Sequence, residues 1–286
     1  MRDAALERFK TLFGPEFGHG KTFDLAPLRA ALSALGNPQQ KLAPVIHVAG
    51  TNGKGSTIAF MRAIAEADGL RVHAFTKPHL FNLNERFVVA GEIVQDGALI
   101  AAAERVHAAA PELTQFDAQV AAAFLLFSET PGDFVLLETG MGGRDDSTNV
   151  VCPALNVIAP IGLDHQDALG ATLTEIAAHK AGIIKPGVPV VIARQEDETR
   201  AVLEAEAARV QAPLFRFGAE WDAYASAGRL VVQTETRALD LPLPALRGAH
   251  QIENAGLACA ALLRWREISD GAFSAGLTWA HWPARL

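Results

Sequence analysis

Residues 45–57 read Val-Ile-His-Val-Ala-Gly-Thr-Asn-Gly-Lys-Gly-Ser-Thr. Val45–Ala49 is a short apolar run, the pattern of a strand buried on both faces. Three glycines follow between Gly50 and Gly55, so the chain turns sharply there. From Ser56 to Asp68 the apolar residues return at helical spacing, and Gly69 can cap that helix. A strand that empties through a glycine loop into a helix turns backbone amides and the positive helix end toward the loop. Phosphate oxygens suit that place, and Lys54 would neutralise the outer ones. Measured against G-x-x-x-x-G-K-[S/T], Val48 stands at the first glycine position and Gly55 separates Lys54 from the hydroxyls of Ser56 and Thr57. The segment is therefore a variant phosphate loop, with Gly50, Thr51, Asn52, Gly53, Lys54, Gly55, Ser56 and Thr57 as candidate nucleotide contacts.

The same alternation continues on either side. Residues 24–35 read as a helix that Asp24 opens, with Pro27 in its first turn and Gly36-Asn37-Pro38 at its end. Strands are expected at 71–75, 134–138, 155–159 and 188–193, and helices at 96–109, 116–129, 172–183, 198–210, 252–265 and 270–279. Residues 214–237 look like a smaller β-rich patch. Strands separated by helices predict an α/β fold, a mostly parallel sheet of the phosphate-loop type flanked by helices on both faces.

The 286 residues are 50% hydrophobic and 20% charged, enough to bury a sizeable core. A formal net charge of -7 gives no broad basic field, which argues against duplex nucleic acid or an anionic membrane as partner. Any anion must be captured locally. Cys152 and Cys259 are far apart and in no metal-binding spacing, no apolar run reaches membrane length, and no basic-then-apolar leader opens the chain. A reducing cytoplasm is the expected location.

Glu138 ends the apolar run Phe134–Leu137, at the edge of the expected sheet where open α/β folds place their ligands. A carboxylate there suits a magnesium ion, although an isolated acid at a strand end is more often solvated. His165 follows another strand, and a neutral imidazole can ligate a divalent ion, although a lone histidine is more often a surface or hydrogen-bonded residue. Lys180, in isolation, reads as a helix-surface lysine.

The form Thr51-Asn52-Gly53-Lys54-Gly55-Ser56 resembles the Mur ligase superfamily, in particular its folylpolyglutamate synthase / dihydrofolate synthase branch. Gly140–Asn149 is similar to that family's glycine-rich stretch ending Asp-Ala-Thr-Asn, with Ser147 at the alanine. Thr114-Gln115-Phe116-Asp117 is similar to Thr-x-Phe-Glu, with aspartate for glutamate. Thr22-Phe23-Asp24-Leu25, Leu163-Asp164-His165, His250–Ala255 and Trp282-Pro283-Ala284-Arg285 resemble further family segments, so the likeness runs from Thr22 to Arg285. It implies that Lys54, His165 and Lys180 are catalytic and that Asn254 and Arg285 join the loop in holding ATP. It implies that Ser56, Thr76, Glu138, His165 and a carbamylated Lys180 hold magnesium at two sites, with a monovalent cation besides. The implied pterin site is Thr22, Asp24, Thr114, Phe116, Asp117, Asp145, Asp146 and Ser147. The implied partners of a monomeric protein are dihydropteroate or tetrahydrofolate, L-glutamate and ATP. In the implied reaction ATP turns the pteroate or folate carboxylate into an acyl phosphate, and the amine of glutamate displaces phosphate.

Two features depart from the pattern. Lys77 stands before Pro78-His79-Leu80 where the family has a serine that helps hold magnesium, and an ammonium cannot ligate a metal. Two readings follow: Lys77 points away and Thr76 substitutes as ligand, or Lys77 supplies a local charge that partly replaces the ion. The chain also ends at Leu286, where the family continues into a Rossmann-like glutamate-binding domain, so residues 1–286 are expected to be the N-terminal and central ATP-binding part. Beside the ligase, three readings stay open: a nucleotide-binding fragment or pseudoenzyme, a Mur-type ligase for another carboxylate such as a UDP-linked one, and a small-molecule kinase.

Overall fold

The computed structural model describes residues 3–15 and 24–282. The chain opens with helices α1 (Ala4–Phe13) and α2 (Ala26–Ala34), strand β1 (Val45–Ala49) and helix α3 (Lys54–Ala67). Strands β2 (Val72–Phe75), β3 (Phe87–Val89) and β4 (Glu92–Ile93) lead to helices α4 (Asp96–Ala109) and α5 (Gln115–Glu129) and strand β5 (Phe134–Glu138). Next come β6 (Leu155–Ile158), α6 (Gln166–Leu169), α7 (Leu173–Ala181), β7 (Val190–Ile192) and α8 (Asp197–Arg209). Strands β8 (Leu214–Arg216), β9 (Trp221–Ser226), β10 (Arg229–Thr234) and β11 (Ala238–Pro242) precede helices α9 (Ala249–Trp265) and α10 (Asp270–Trp279). One eight-stranded sheet has the order β4-β3-β2-β5-β1-β6-β7-β8, and β11-β10-β9 form a second, antiparallel sheet. The first sheet is the expected mostly parallel one.

The chain divides into two compact units. In the first (residues 1–45, 71–140 and 145–152), β2 pairs in parallel with β5, and β3 and β4 add antiparallel edges. All five positions of β5 are buried, as its unbroken apolar run requires. Phe9 of α1, Phe75, Phe87 and Phe124 of α5 are fully buried in this core, where the Phe75 and Phe87 rings meet edge-on at 5.2 Å. In the second unit (residues 46–70, 141–144 and 153–286), β1, β6, β7 and β8 pair in parallel. Ile158, Ile176, Ile183, Ile192 and Leu203 belong to one apolar cluster of this unit.

The β-rich patch expected over 214–237 is differently divided. Leu214–Arg216 extends the large sheet by pairing with Val190–Ile192, while the small sheet runs on to Pro242. Sequence pattern can mark a strand but not its partner, and this pairing is a tertiary choice. Among the described residues, no helix is long and apolar enough to cross a membrane.

His47 sits inside β1, fully buried, and burial pushes its imidazole down from 6.5 to about 3, with the Lys185 ammonium adding to the shift. The folded value lies below the unfolded one, so the stability tied to the neutral ring is present above pH 6.5 and is lost as pH falls toward 3. Within that window this group should lower the unfolding free energy by about 1.4 kcal/mol per pH unit. Urea melts at about pH 7.5 and about pH 5 measure the fall, and His47→Asn should flatten it.

Candidate functional site

In the second unit β1 ends at Ala49 and α3 begins at Lys54, with Gly53 as N-cap at φ 83. Glycine takes that φ without steric cost, and a Cβ there would also run into Asn254 Oδ1. A Cβ on Gly55 would meet the Trp282 ring at 2.7 Å. The N–H groups of Thr51 and Asn52 donate to the Pro160 carbonyl at 2.9 and 3.1 Å, and Thr51 Oγ1 donates to Gly162 O at 3.0 Å. These bonds brace the loop against the segment after β6. The N–H groups of Gly55 and Ser56, in the first turn of α3, have no acceptor within their own helix and suit an anion, while the Thr57 N–H donates to Gly53 O at 2.8 Å.

Two ammonium groups meet at this loop. Lys54 Nζ donates to the carbonyls of Gly50 and Thr51 at 3.0 and 3.2 Å, and buried Lys180 donates to the same Gly50 carbonyl at 2.8 Å. Positive charge therefore gathers at the positive end of α3, which favours a bound anion. Helix α9 closes the arrangement: Gln251 Nε2 donates to Ser56 Oγ at 3.3 Å, and Asn254 Nδ2 donates to Gln251 Oε1 at 3.0 Å. His165 takes no part in these bonds. It caps α6 at a left-handed φ of 49, with its half-exposed ring 3.5 Å from Asp164 Oδ2. Among the described residues no three His, Cys, Asp or Glu side chains form a metal cage. A magnesium ion that brings phosphate oxygens and water needs only one or two protein oxygens, and Ser56 Oγ can be one.

In the first unit Glu138 closes β5, 3% exposed, and its Oε2 accepts the Lys77 N–H at 3.1 Å. The Lys77 ammonium lies 5.7 Å from the Phe116 ring centre, and Thr76 is buried beside it. Thr114 is the N-cap of α5, accepting from the Asp117 N–H. Its hydroxyl donates to Asp117 Oδ2 at 2.6 Å, while Ser147 Oγ donates to Asp117 Oδ1 at 2.5 Å. Both are short enough to be charge-assisted. Buried Asp146 accepts at Oδ1 from the Thr148 N–H and hydroxyl, at 3.0 and 2.6 Å. Phe116, Asp117, Asp146 and Ser147 are thus brought together, whereas Asp24 spends Oδ1 on the N–H of Ala26 and Asp145 is half-buried. Thr22 and Arg285 lie outside the described residues.

The Mur ligase middle domain profile matches residues 48–262. A dihydrofolate synthase/folylpolyglutamate synthase of Bacillus subtilis is 39% identical over 284 residues, covering 92% of this chain and 65% of the relative. A folylpolyglutamate synthase of Lacticaseibacillus casei is 36% identical over 287 residues, covering 93% of this chain and 66% of the relative. The apo structure of the L. casei folylpolyglutamate synthase superposes with a TM-score of 0.88 at 33% identity, over 99% of this chain and 72% of that one. The chain belongs to the folylpolyglutamate synthase / dihydrofolate synthase family of Mur ligases. It spans slightly less than two thirds of the two curated relatives. The E. coli member solved with DHPP and ADP superposes with a TM-score of 0.88 at 31% identity, over 100% of this chain and 69% of that one.

Against the family pattern, aspartate at 117 and serine at 147 are bonded to each other. The shorter acid is met by a hydroxyl that an alanine would lack. Ser147→Ala should therefore leave Asp117 short of one donor and lower stability by about 1–2 kcal/mol, read as a shift in urea midpoint at constant slope. Gln251 and Trp282, both beside the loop, stand inside the segments 250–255 and 282–285, where the resemblance gives roles to Asn254 and Arg285 alone. For Gln251 the signal was available: it lies three residues before Asn254, on the same helix face.

Proposed function

We propose that this chain carries the nucleotide-binding and pterin-binding part of an ATP-dependent ligase that joins L-glutamate to the carboxylate of a pteroate or folate. The observation that carries the reading is the convergence of Lys54 and Lys180 on the Gly50 carbonyl at the head of α3. A carboxylate is too poor an electrophile for an amine. Transfer of the γ-phosphoryl group makes an acyl phosphate, and attack by glutamate's amine then expels phosphate as the C–N bond forms. Lys54 and the first-turn amides of α3 would hold the phosphate oxygens and stabilise the charge that builds on them. Asp146 would accept from ring N–H donors of the pterin, with Phe116 as its aromatic wall and Asp117 held in place by Thr114 and Ser147.

The donor chemistry of both units fits magnesium carried on the nucleotide. When bound it supplies charge neutralisation on the phosphates; Ser56 is the oxygen donor proposed within the second unit, and Thr76 and Glu138 are those proposed within the first. Carbamylation would exchange the Lys180 ammonium for an anionic oxygen ligand, and His165 and a monovalent cation belong to the same reading. The protein is proposed to act as a cytoplasmic monomer.

Incubation with Mg-ATP, dihydropteroate or tetrahydrofolate, and L-glutamate, followed by mass detection of the glutamylated product, tests the reaction. Product that disappears in Lys54→Ala supports the ligase. Saturable ATP binding with no product and no saturable binding of dihydropteroate or tetrahydrofolate contradicts it and leaves a nucleotide-binding protein.

A further inference from the structure

The second unit contains a cavity of about 320 Å³, within the size range of small-ligand sites. Val191 of β7, Phe215 of β8, Trp221 of β9 and Leu263 of α9 supply apolar wall, and exposed Arg264 and Arg266 line it as well. The Trp221 indole N–H is spent on the Ile192 carbonyl at 3.2 Å, so the ring offers the cavity only carbon surface. The Arg264 guanidinium carbon lies over the chain's own Phe215, 4.1 Å from the ring centre. Among the described residues it has no hydrogen-bond acceptor and no carboxylate partner. A cation held over a ring uses none of its N–H donors there, so those of Arg264 stay available for a carboxylate.

The remaining charges around the cavity narrow the ligand. Arg237 is paired with Asp270, and Glu220 is held through both oxygens by Arg216. Glu235 and Glu267 stay exposed on the lining and offset the charges of Arg264 and Arg266, whose guanidinium lies 5.2 Å from the Trp265 ring centre, so no excess positive charge is left for a multiply charged anion. We infer that this cavity is a binding site for a small monocarboxylate with a planar apolar body, its ring among Phe215, Trp221 and Leu263 and its carboxylate on the Arg264 fork. The site belongs to no step of the proposed ligase chemistry and stands or falls separately from it.

Calorimetric titration of the chain with phenylacetate, phenylacetamide and phenyl phosphate tests the inference. Phenylacetate should bind saturably, the neutral amide and the dianion each about tenfold more weakly, and Arg264→Met should remove the preference for the acid. Leu263→Trp, which fills the cavity with another apolar side chain, should abolish binding of the acid in a protein whose thermal unfolding remains cooperative. Equal affinity for acid and amide, affinity unchanged in Arg264→Met, or no binding of phenylacetate would each overturn it.

Discussion

Lys54→Ala is expected to weaken ATP binding roughly a hundredfold, about 2–3 kcal/mol, the cost of removing a charged donor from phosphate oxygens. The lysine is well placed for this: it sits at the first position of α3 and its ammonium already folds over the loop onto Gly50 and Thr51. Those two carbonyl contacts are partly buried rather than core contacts, so thermal stability should change little. Lys54→Arg is the informative companion. It keeps the charge but brings a planar fork too large for a point-charge role, and should recover only part of the affinity. Calorimetry with ATP on the three proteins reads the effect, and an alanine variant that binds ATP like the parent would remove Lys54 from the site.

Asp146→Asn should weaken dihydropteroate binding by about 2 kcal/mol, roughly thirtyfold, while leaving the fold intact. The prediction separates two jobs of one side chain. Asp146 caps the short turn Ser147–Val150 by accepting from Thr148, and asparagine caps such turns about as well as aspartate. What asparagine cannot keep is the negative charge and the second strong acceptor, which are what pterin N–H donors would use. Unchanged dihydropteroate affinity, with ATP affinity as the control, would assign Asp146 a capping role alone.

Elements with strong periodicity were legible to the residue. Val45–Ala49, Phe134–Glu138, Asp96–Ala109 and Asp270–Trp279 occupy the expected spans because each carries an unbroken apolar run or a clear helical stripe. Helix α1 was not foreseen, although Asp3 accepts from the Leu6 N–H as its cap and buries Ala5 and Phe9 behind it. Strands β3 and β4, three and two residues long, are too short for any period to register. The phosphate loop was readable because strand, glycines, lysine and helix are contiguous. The Lys180 contact with Gly50 was not, since 130 residues separate them and the local sequence around Lys180 reads as helix surface although the side chain is buried. For the pterin side, resemblance named the segments Thr114–Asp117 and Asp145–Ser147, but their separation in sequence hides that Asp117 and Ser147, each a substitution against the family motif, meet in one hydrogen bond.

The central claim is that residues 50–57 read phosphate. Calorimetric titration of the chain with ATP and with AMP, both in excess magnesium, tests it most directly. Saturable binding of ATP is expected, with AMP weaker by at least about a hundredfold and that difference lost in Lys54→Ala. AMP bound as tightly as ATP, or an ATP preference that survives the loss of Lys54, would contradict it.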